Sequence, residues 1–456
     1  MSLAVEDPRP LEREALTEIF HRSCKADGAS LIGIEHEKVS YRLSDGGPVP
    51  FRGKNSIEAL LQAFCARYGW VPTLVEGAVL AATSPSQTSQ ITLEPGGQVE
   101  LSGSPLHTVG EIAQELEQHL ADLIAVASPL GIGFSSLGFH PSRRPEDVTF
   151  VPKPRYRVMR EYFGHTGTRG LHMMACTATV QFNHDFKNEA EAMEKLRVGQ
   201  LVSPYVSALF CNSPFEEGEL SEWQSRRYFT WLDVDPIRCG LLGFAYRSDA
   251  SFDDYAAWAL AAPLYGIVRD GHFVQIVTQT FAQYLQRGFE GHHATQGDWI
   301  DHLGTLYPEV RLKRTIEMRG VDSGTLPHCM AATALCRGLL DDATSRREIA
   351  ATFARPHDPL ALQRAVAHDA LLARDDEGPI LGKCRWLVEL ASQGLKRLGE
   401  TDTQALDPAR EAAERGVCPA DEWRETAGAS TLSPLQILNK SRYLAPDTQQ
   451  MIGRHR

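Results

Sequence analysis

IGIEHEK, residues 32–38, is the stretch on which the fold turns. Residues two apart on a strand point the same way, so Glu35 and Glu37 share one face while Ile34 and His36 take the other. The alternation extends over 31–42 (LIGIEHEKVSYR) and predicts a strand with paired carboxylates on one side. The same phase rule applies to QITLEPGGQVELS (90–102), where Glu94, Gln98 and Glu100 oppose Leu93, Val99 and Leu101. Pro95-Gly96-Gly97 interrupts that segment and reads as a tight hairpin connection, which favours an antiparallel sheet over a doubly wound parallel one. In TATVQFNHDF (177–186), Thr179, Gln181, Asn183 and Asp185 face away from Val180 and Phe182. In VRLKRTIEMR (310–319), read as one strand, Arg311, Lys313, Thr315, Glu317 and Arg319 face away from Leu312, Ile316 and Met318.

An unpaired buried charge costs several kcal/mol, so carboxylates gathered on a sheet face packed by helices require a positive guest. The alternative is a solvated outer face with salt-bridged side chains, which antiparallel sheets often have. Hard oxygen donors without clustered Cys or His suit Mg²⁺ or Mn²⁺, and interspersed Lys and Arg suit phosphates, so the expected guest is a nucleoside triphosphate. No GxxxxGK[ST] or strand-following GxGxxG pattern occurs, which leaves metal and sheet to hold the nucleotide.

Helical periodicity marks 108–128, opened by Thr108 and Glu111 as a capping box, a second helix beginning at Asn55, and a third over 378–398. The chain of 456 residues is expected to form an N-terminal helical segment (1–30), a catalytic core (31–343) and a C-terminal helical section with a partly mobile tail (344–456). A net charge of -12 argues against a broad basic face for nucleic acid. The acidic start MSLAVEDPRPLERE is unlike a signal peptide, and no apolar stretch of about 18 residues follows, so a cytoplasmic protein without membrane partners is expected. Nine scattered cysteines without CxxC spacing read as reduced, buried thiols.

Eight blocks in order, IGIEHEK (32–38), ITLEPGGQVELSGSPLHT (91–108), GIGFSSLGFHP (131–141), VPKPRYRVMREYF (151–163), TATVQFNHDF (177–186), SALFCNSPFEEG (207–218), WLDVDPIRCG (231–240) and YPEVRLKRTIEMRG (307–320), resemble the plant and proteobacterial type of glutamate-cysteine ligase, within the glutamine synthetase-like carboxylate-amine ligases. The resemblance implies an α+β fold in which a curved, mainly antiparallel sheet forms a funnel flanked by helices. It implies phosphorylation of the glutamate γ-carboxylate by ATP, then displacement of phosphate by an amine, with glutamate, ATP and an amine such as cysteine as the small-molecule partners of a monomer or homodimer. Carried over by position, Glu35, Glu37, Glu94, Glu100 and Glu317 are expected to coordinate Mg²⁺ (or Mn²⁺). Gln181 and Asn183 are expected at nucleotide or glutamate, Lys313 and Arg319 at the transferring phosphate, and Arg160 and Arg227 at a substrate carboxylate. His36 is off-phase and reads as packed behind the site, and Trp231 and Tyr156 read as core.

The family commonly has MMFRTCTVQVNLDF and EMRGADGGPWRRLCALP, where this chain places Cys176 for the Arg and Leu326-Pro327-His328 for the Trp-Arg-Arg run. Loss of cations with every metal carboxylate kept suggests a changed acceptor pocket, so γ-glutamylation of a non-cysteine amine stays open beside the cysteine reaction. Cys176 and Cys329 fall in these substituted stretches. A guanidino kinase, whose product would be phosphorylated rather than amidated, and a non-catalytic relative are the remaining alternatives.

Overall fold

The computed structural model of the chain describes residues 7–25, 30–401 and 403–444. Nine strands form one sheet: β1 (Ile32–Arg42), β2 (Val71–Val75), β3 (Ala78–Thr83), β4 (Gln90–Leu93), β5 (Val99–Ser102), β6 (Ile132–Ser135), β7 (Thr179–His184), β8 (Val310–Leu312) and β9 (Ile316–Asp322). Their order is β8-β9-β7-β1-β5-β4-β3-β2, with β6 pairing the far end of β1. Every pairing in this sheet is antiparallel, and the sheet is open, because none joins β8 to β2. Register brings the polar faces level: Glu35 lies opposite Gln181, Glu37 opposite Glu100, and Glu317 opposite Asn183.

The 90–102 segment folds as the expected hairpin, with Gly97 at φ 80, a conformation glycine adopts without a Cβ penalty. The 310–319 segment does not run as one strand. Lys313-Arg314-Thr315 make a turn, closed by the Lys313 N–H donating to the Thr315 carbonyl, and the chain doubles back as β8 and β9. Arg311 therefore stands directly across from Glu317 instead of six residues along the same strand. Strands β2 and β3 escape the alternation rule: Pro72 interrupts the first, the second is an apolar run buried on both faces, and Glu76 and Gly77 turn between them at positive φ.

Helices cover the sheet. Helix α1 (Ile57–Tyr68) starts one residue later than the sequence pattern implies, because Ser56 rather than Asn55 caps it by accepting from the Ala59 N–H. Helix α2 (Val109–Ala127) has the Thr108/Glu111 capping box and buries Ile112, Leu116, Leu120 and Leu123. Helices α3 (Pro154–Phe163), α4 (Gly170–Cys176) and α6 (Arg226–Trp231) edge the polar face, and α5 (Glu189–Leu209) packs on β8 and β9. Helix α7 (Leu326–Leu340) lies against α2, β7 and α8 (Leu381–Arg397). Near the N terminus the helix spans Glu18–Arg22; residues 1–6 and 26–29 lie outside the described set.

The C-terminal part holds, besides α8, helices Ala343–Thr352, Pro359–Asp369, Asp407–Arg415, Pro419–Ala429 and α9 (Pro434–Lys440), which contribute Ile349, Val366, Leu387 and Ala409 to the core that also contains Ile34 and Val180. The tail expected to be mobile lies, from 445 on, outside the described residues. Just before it, Tyr443 reaches the back of β1, where its hydroxyl meets His36 Nε2 at 2.9 Å, and Ser441 bonds Ser135 at 2.8 Å. His36 and Lys38 are fully buried there, so β1 is covered on both faces, and His36 packs behind the site as its phase implies.

Candidate active site

The polar face of the sheet closes around a cavity of about 240 Å³. Glu35 and Glu37 from β1, Glu94 and Gln98 from the hairpin turn, Glu100 from β5, Gln181 from β7, and Arg311, Lys313 and Arg319 from the β8–β9 hairpin line it. Met159, Met173, Met174, Trp231 and Tyr307 form the apolar wall opposite. Single strands here would read as exposed polar faces; register across strands turns them into a buried pocket.

One network joins the acids to the cations. Gln181 donates to Glu37 at 3.3 Å and accepts from Arg319, which also pairs with Glu317. Arg311 completes the set with a fork on Glu317, Nη2 at 2.7 Å and Nε at 2.9 Å. Asn183 donates to Glu35 at 3.2 Å and accepts from Thr315 at 2.8 Å.

Electrostatics divide the acids into two kinds. Burial, reinforced by Glu317 and Glu100, pushes the Glu35 carboxyl up to about 7. Burial beside Glu100 does the same to Glu94, also to about 7, and burial with Glu94 and Glu100 as neighbours raises Glu37. Burial acts on Glu317 as well, yet Arg311, Arg319 and Lys313 outweigh it and hold that acid at about 2. Burial, with Arg311 nearby, brings Lys313 down to about 8. Glu100, also buried, is instead held at about 2 with hydrogen bonds to Glu94, Ser102 and Thr92. The acids raised toward neutrality beside it fit a hard divalent cation, which would displace their protons. The donors line the walls rather than meet at a point: among the described residues no three His, Cys, Asp or Glu side chains form a ready-made metal cluster.

Several expected site residues sit elsewhere. Glu317 lies just behind the wall with both oxygens taken up by Arg311 and Arg319, and Asn183 stands behind Glu35. Arg227 is buried and donates to the carbonyls of Arg319 (2.8 Å) and Gly320 (3.1 Å), bracing β9; it does not line this cavity but a small pocket beside it, with Trp231, Tyr307 and Arg319. Arg160 is exposed, its guanidinium 4.9 Å above the Phe150 ring. Substituting Arg160→Ala should therefore leave kcat/KM within about twofold in a steady-state assay, the behaviour of surface residues away from special features.

Trp231 forms part of the cavity wall, whereas its place in a short amphipathic segment resembles core; Tyr156 is core, its hydroxyl donating to the Leu93 carbonyl at 2.8 Å. The methionines, on helices, and Tyr307, on a short strand, gave no signal, because apolar residues read as packing. Arg311 had one, a cation facing Glu317 once a turn is placed at 313–315. The substituted positions do not line the cavity. Cys176 is buried with its thiol toward the Arg143 carbonyl at 3.4 Å, and the Cys329 thiol donates to the Gly324 carbonyl at 3.3 Å, so the acceptor-pocket change expected from them is absent from these walls.

The sequence profile of glutamate-cysteine ligase family 2 matches residues 31–440. The chain belongs to this family. Among relatives of this family 2 member, a chloroplastic glutamate–cysteine ligase of Brassica juncea is 36% identical over 427 residues, covering 92% of this chain and 82% of the relative. One of Arabidopsis thaliana is also 36% identical, covering 92% and 81%. The solved glutamate–cysteine ligase of Francisella tularensis, in complex with AMP, superposes with a TM-score of 0.57 at 13% identity over 91% of this chain and 87% of that one. PafA, ligase of the ubiquitin-like protein Pup, gives 0.50 at 10% identity over 93% and 76%. At such identities the structural likeness speaks for the fold, an antiparallel sheet with helices, while the sequence relatives carry the membership.

Proposed function

We propose that this family 2 member uses ATP to join the γ-carboxylate of glutamate to the amine of cysteine, giving γ-glutamylcysteine for glutathione biosynthesis. The observation that carries the reading is a buried cavity with raised carboxylates on one side and Arg311, Lys313 and Arg319 on the other. The names of the sequence relatives support it, as does the AMP bound to the fold neighbour. The reading takes residues 31–343 as the catalytic unit.

Glu35, Glu37, Glu94 and Glu100 would hold Mg²⁺, which when bound supplies charge neutralisation to phosphates and carboxylates alike. The protein's own groups do the rest. Lys313 and Arg319 take the charge that builds on the γ-phosphoryl group as the glutamate carboxylate oxygen attacks it and ADP leaves. Gln181, tied to Glu37 and Arg319, keeps the acidic and cationic walls in register. The amine then attacks the acyl carbon, phosphate departs, and the ammonium proton is lost. Met159, Met173 and Met174 keep this end dry, which protects the acyl phosphate from hydrolysis.

No described helix is long and apolar enough to cross a membrane. We place the protein in the cytoplasm, where the nine cysteines, none of them in a disulfide, would stay reduced.

The test supplies ATP, Mg²⁺ and glutamate with a panel of amines and follows ADP and γ-glutamyl product. Cysteine should exceed the other amines by about tenfold or more in kcat/KM, the discrimination one well-fitted side chain supplies. Strong turnover with another amine and none with cysteine would reject the assignment, and a stable phosphorylated product without amide would point to a kinase.

A further inference from the structure

Arg143 is buried to 3% exposure, yet among the described residues its hydrogen bonds go to no carboxylate. Its guanidinium donates to three main-chain carbonyls on three different walls of the cavity: Ser40 of β1 at 2.6 Å, Ala175 of α4 at 3.2 Å and Gly96 of the β4–β5 turn at 3.4 Å. A buried cation with Asp147 as a charge neighbour but no carboxylate on its hydrogen bonds is expensive, and a neutral side chain satisfies carbonyls at less cost. What the guanidinium adds is a rigid fork that reaches separate acceptors at once, which an ammonium does not reproduce.

The Gly96 end of that fork is a tight junction. A Cβ on Gly96 would fall 2.6 Å from the Ala175 carbonyl oxygen and 2.8 Å from its Cα. The rest of the turn is held from behind as well, with Lys153 Nζ and Tyr156 Oη each 2.8 Å from the Leu93 carbonyl, the Val151 N–H on Pro95 at 2.9 Å, and Ser40 Oγ on Gly97 at 3.1 Å. Glu94 sits on this turn, Glu37 three residues before Ser40, and Met173 and Met174 just before Ala175.

We propose that Arg143 is a positioning residue that sets the spacing between the glycine turn, β1 and the methionine wall, and so governs binding of glutamate and the amine rather than the grip of Lys313 and Arg319 on the nucleotide. The inference rests on the ligase reading above. Its selectivity follows from the sheet order: the cations assigned to the phosphates come from the β8–β9 hairpin, Lys313 in its turn and Arg319 on β9, separated by β7 and β1 from the hairpin that Arg143 anchors.

The experiment compares Arg143→Met, Arg143→Lys and Gly96→Ala with the unaltered protein in steady-state kinetics, nucleotide binding and thermal melting. Arg143→Met should raise the KM values for glutamate and amine by about tenfold or more while the Kd for an ATP analogue measured without Mg²⁺, which leaves the acids out of the contact, moves less than about threefold, with Arg143→Lys intermediate. Gly96→Ala, which pries open the same junction with Arg143 intact, should give the same split, and it serves as the test if Arg143→Met does not fold. Unchanged KM values, equal losses of nucleotide and glutamate affinity, or activity that merely tracks the melting temperature would overturn the inference. Absence of turnover in the unaltered protein would instead remove the ligase reading.

Discussion

Glu317→Gln should lower kcat by about 10³-fold and destabilise the fold by about 3–5 kcal/mol, the range for breaking a buried ion pair by removing one partner. Glu317 is 3% exposed and accepts from Arg311 through two nitrogens while also pairing with Arg319. An amide is nearly isosteric but supplies one acceptor oxygen and no charge, so two guanidinium groups lose their counter-ion in a dry site. Arg319 would then be free to swing, and with it Gln181, which links it to Glu37. Urea unfolding gives the stability change, and turnover measured below the melting transition separates it from catalysis. Activity within about tenfold of the unaltered protein would show that Arg319 needs no such anchor.

Removing divalent cations should abolish turnover, and the accompanying change in stability should depend on pH in a defined direction. Glu35 and Glu94 sit at about 7 in the folded, cation-free protein, against about 4.3 for an unfolded glutamate. The folded chain thus retains protons that the unfolded chain releases. That contribution is fully present below the unfolded value, is lost as pH rises through 4.3 to about 7, and is gone above it. A bound cation replaces the protons as counter-charge, so it restores most where they are absent. Scanning calorimetry with and without Mg²⁺ should show a gain of about 4 °C or more near pH 8 and about 1 °C or less near pH 5.5. Equal gains at both would mean that these acids are not the ligands.

The site was largely legible because strand phase is local. Glu35, Glu37, Glu94, Glu100 and Gln181 reach the cavity as period-two alternation implies, whatever the rest of the chain does. Lys313 and Arg319 reach it too, although by way of a hairpin turn that alternation cannot reveal, since three polar residues in phase look like a continuing strand. The arginines were less legible. A long flexible side chain places its charge by tertiary context, so Arg227 bracing a backbone and Arg160 lying over Phe150 carry the same sequence signal as a substrate-binding cation. Strand β3 and the methionine wall were hidden for another reason: apolar runs state that a residue is buried, not against what.

The contact between Tyr443 and His36 spans 407 positions of the sequence. A ribosome making this protein exposes β1 early, yet the Tyr443 hydroxyl that backs His36 is made 407 residues later. Pairing over such separations is slow to form, because loop closure precedes any reward in contact energy. The acids on β1 therefore gain this part of their backing only once Tyr443 is made, and a chain cut short before it carries every acidic and basic group of the cavity without that contact.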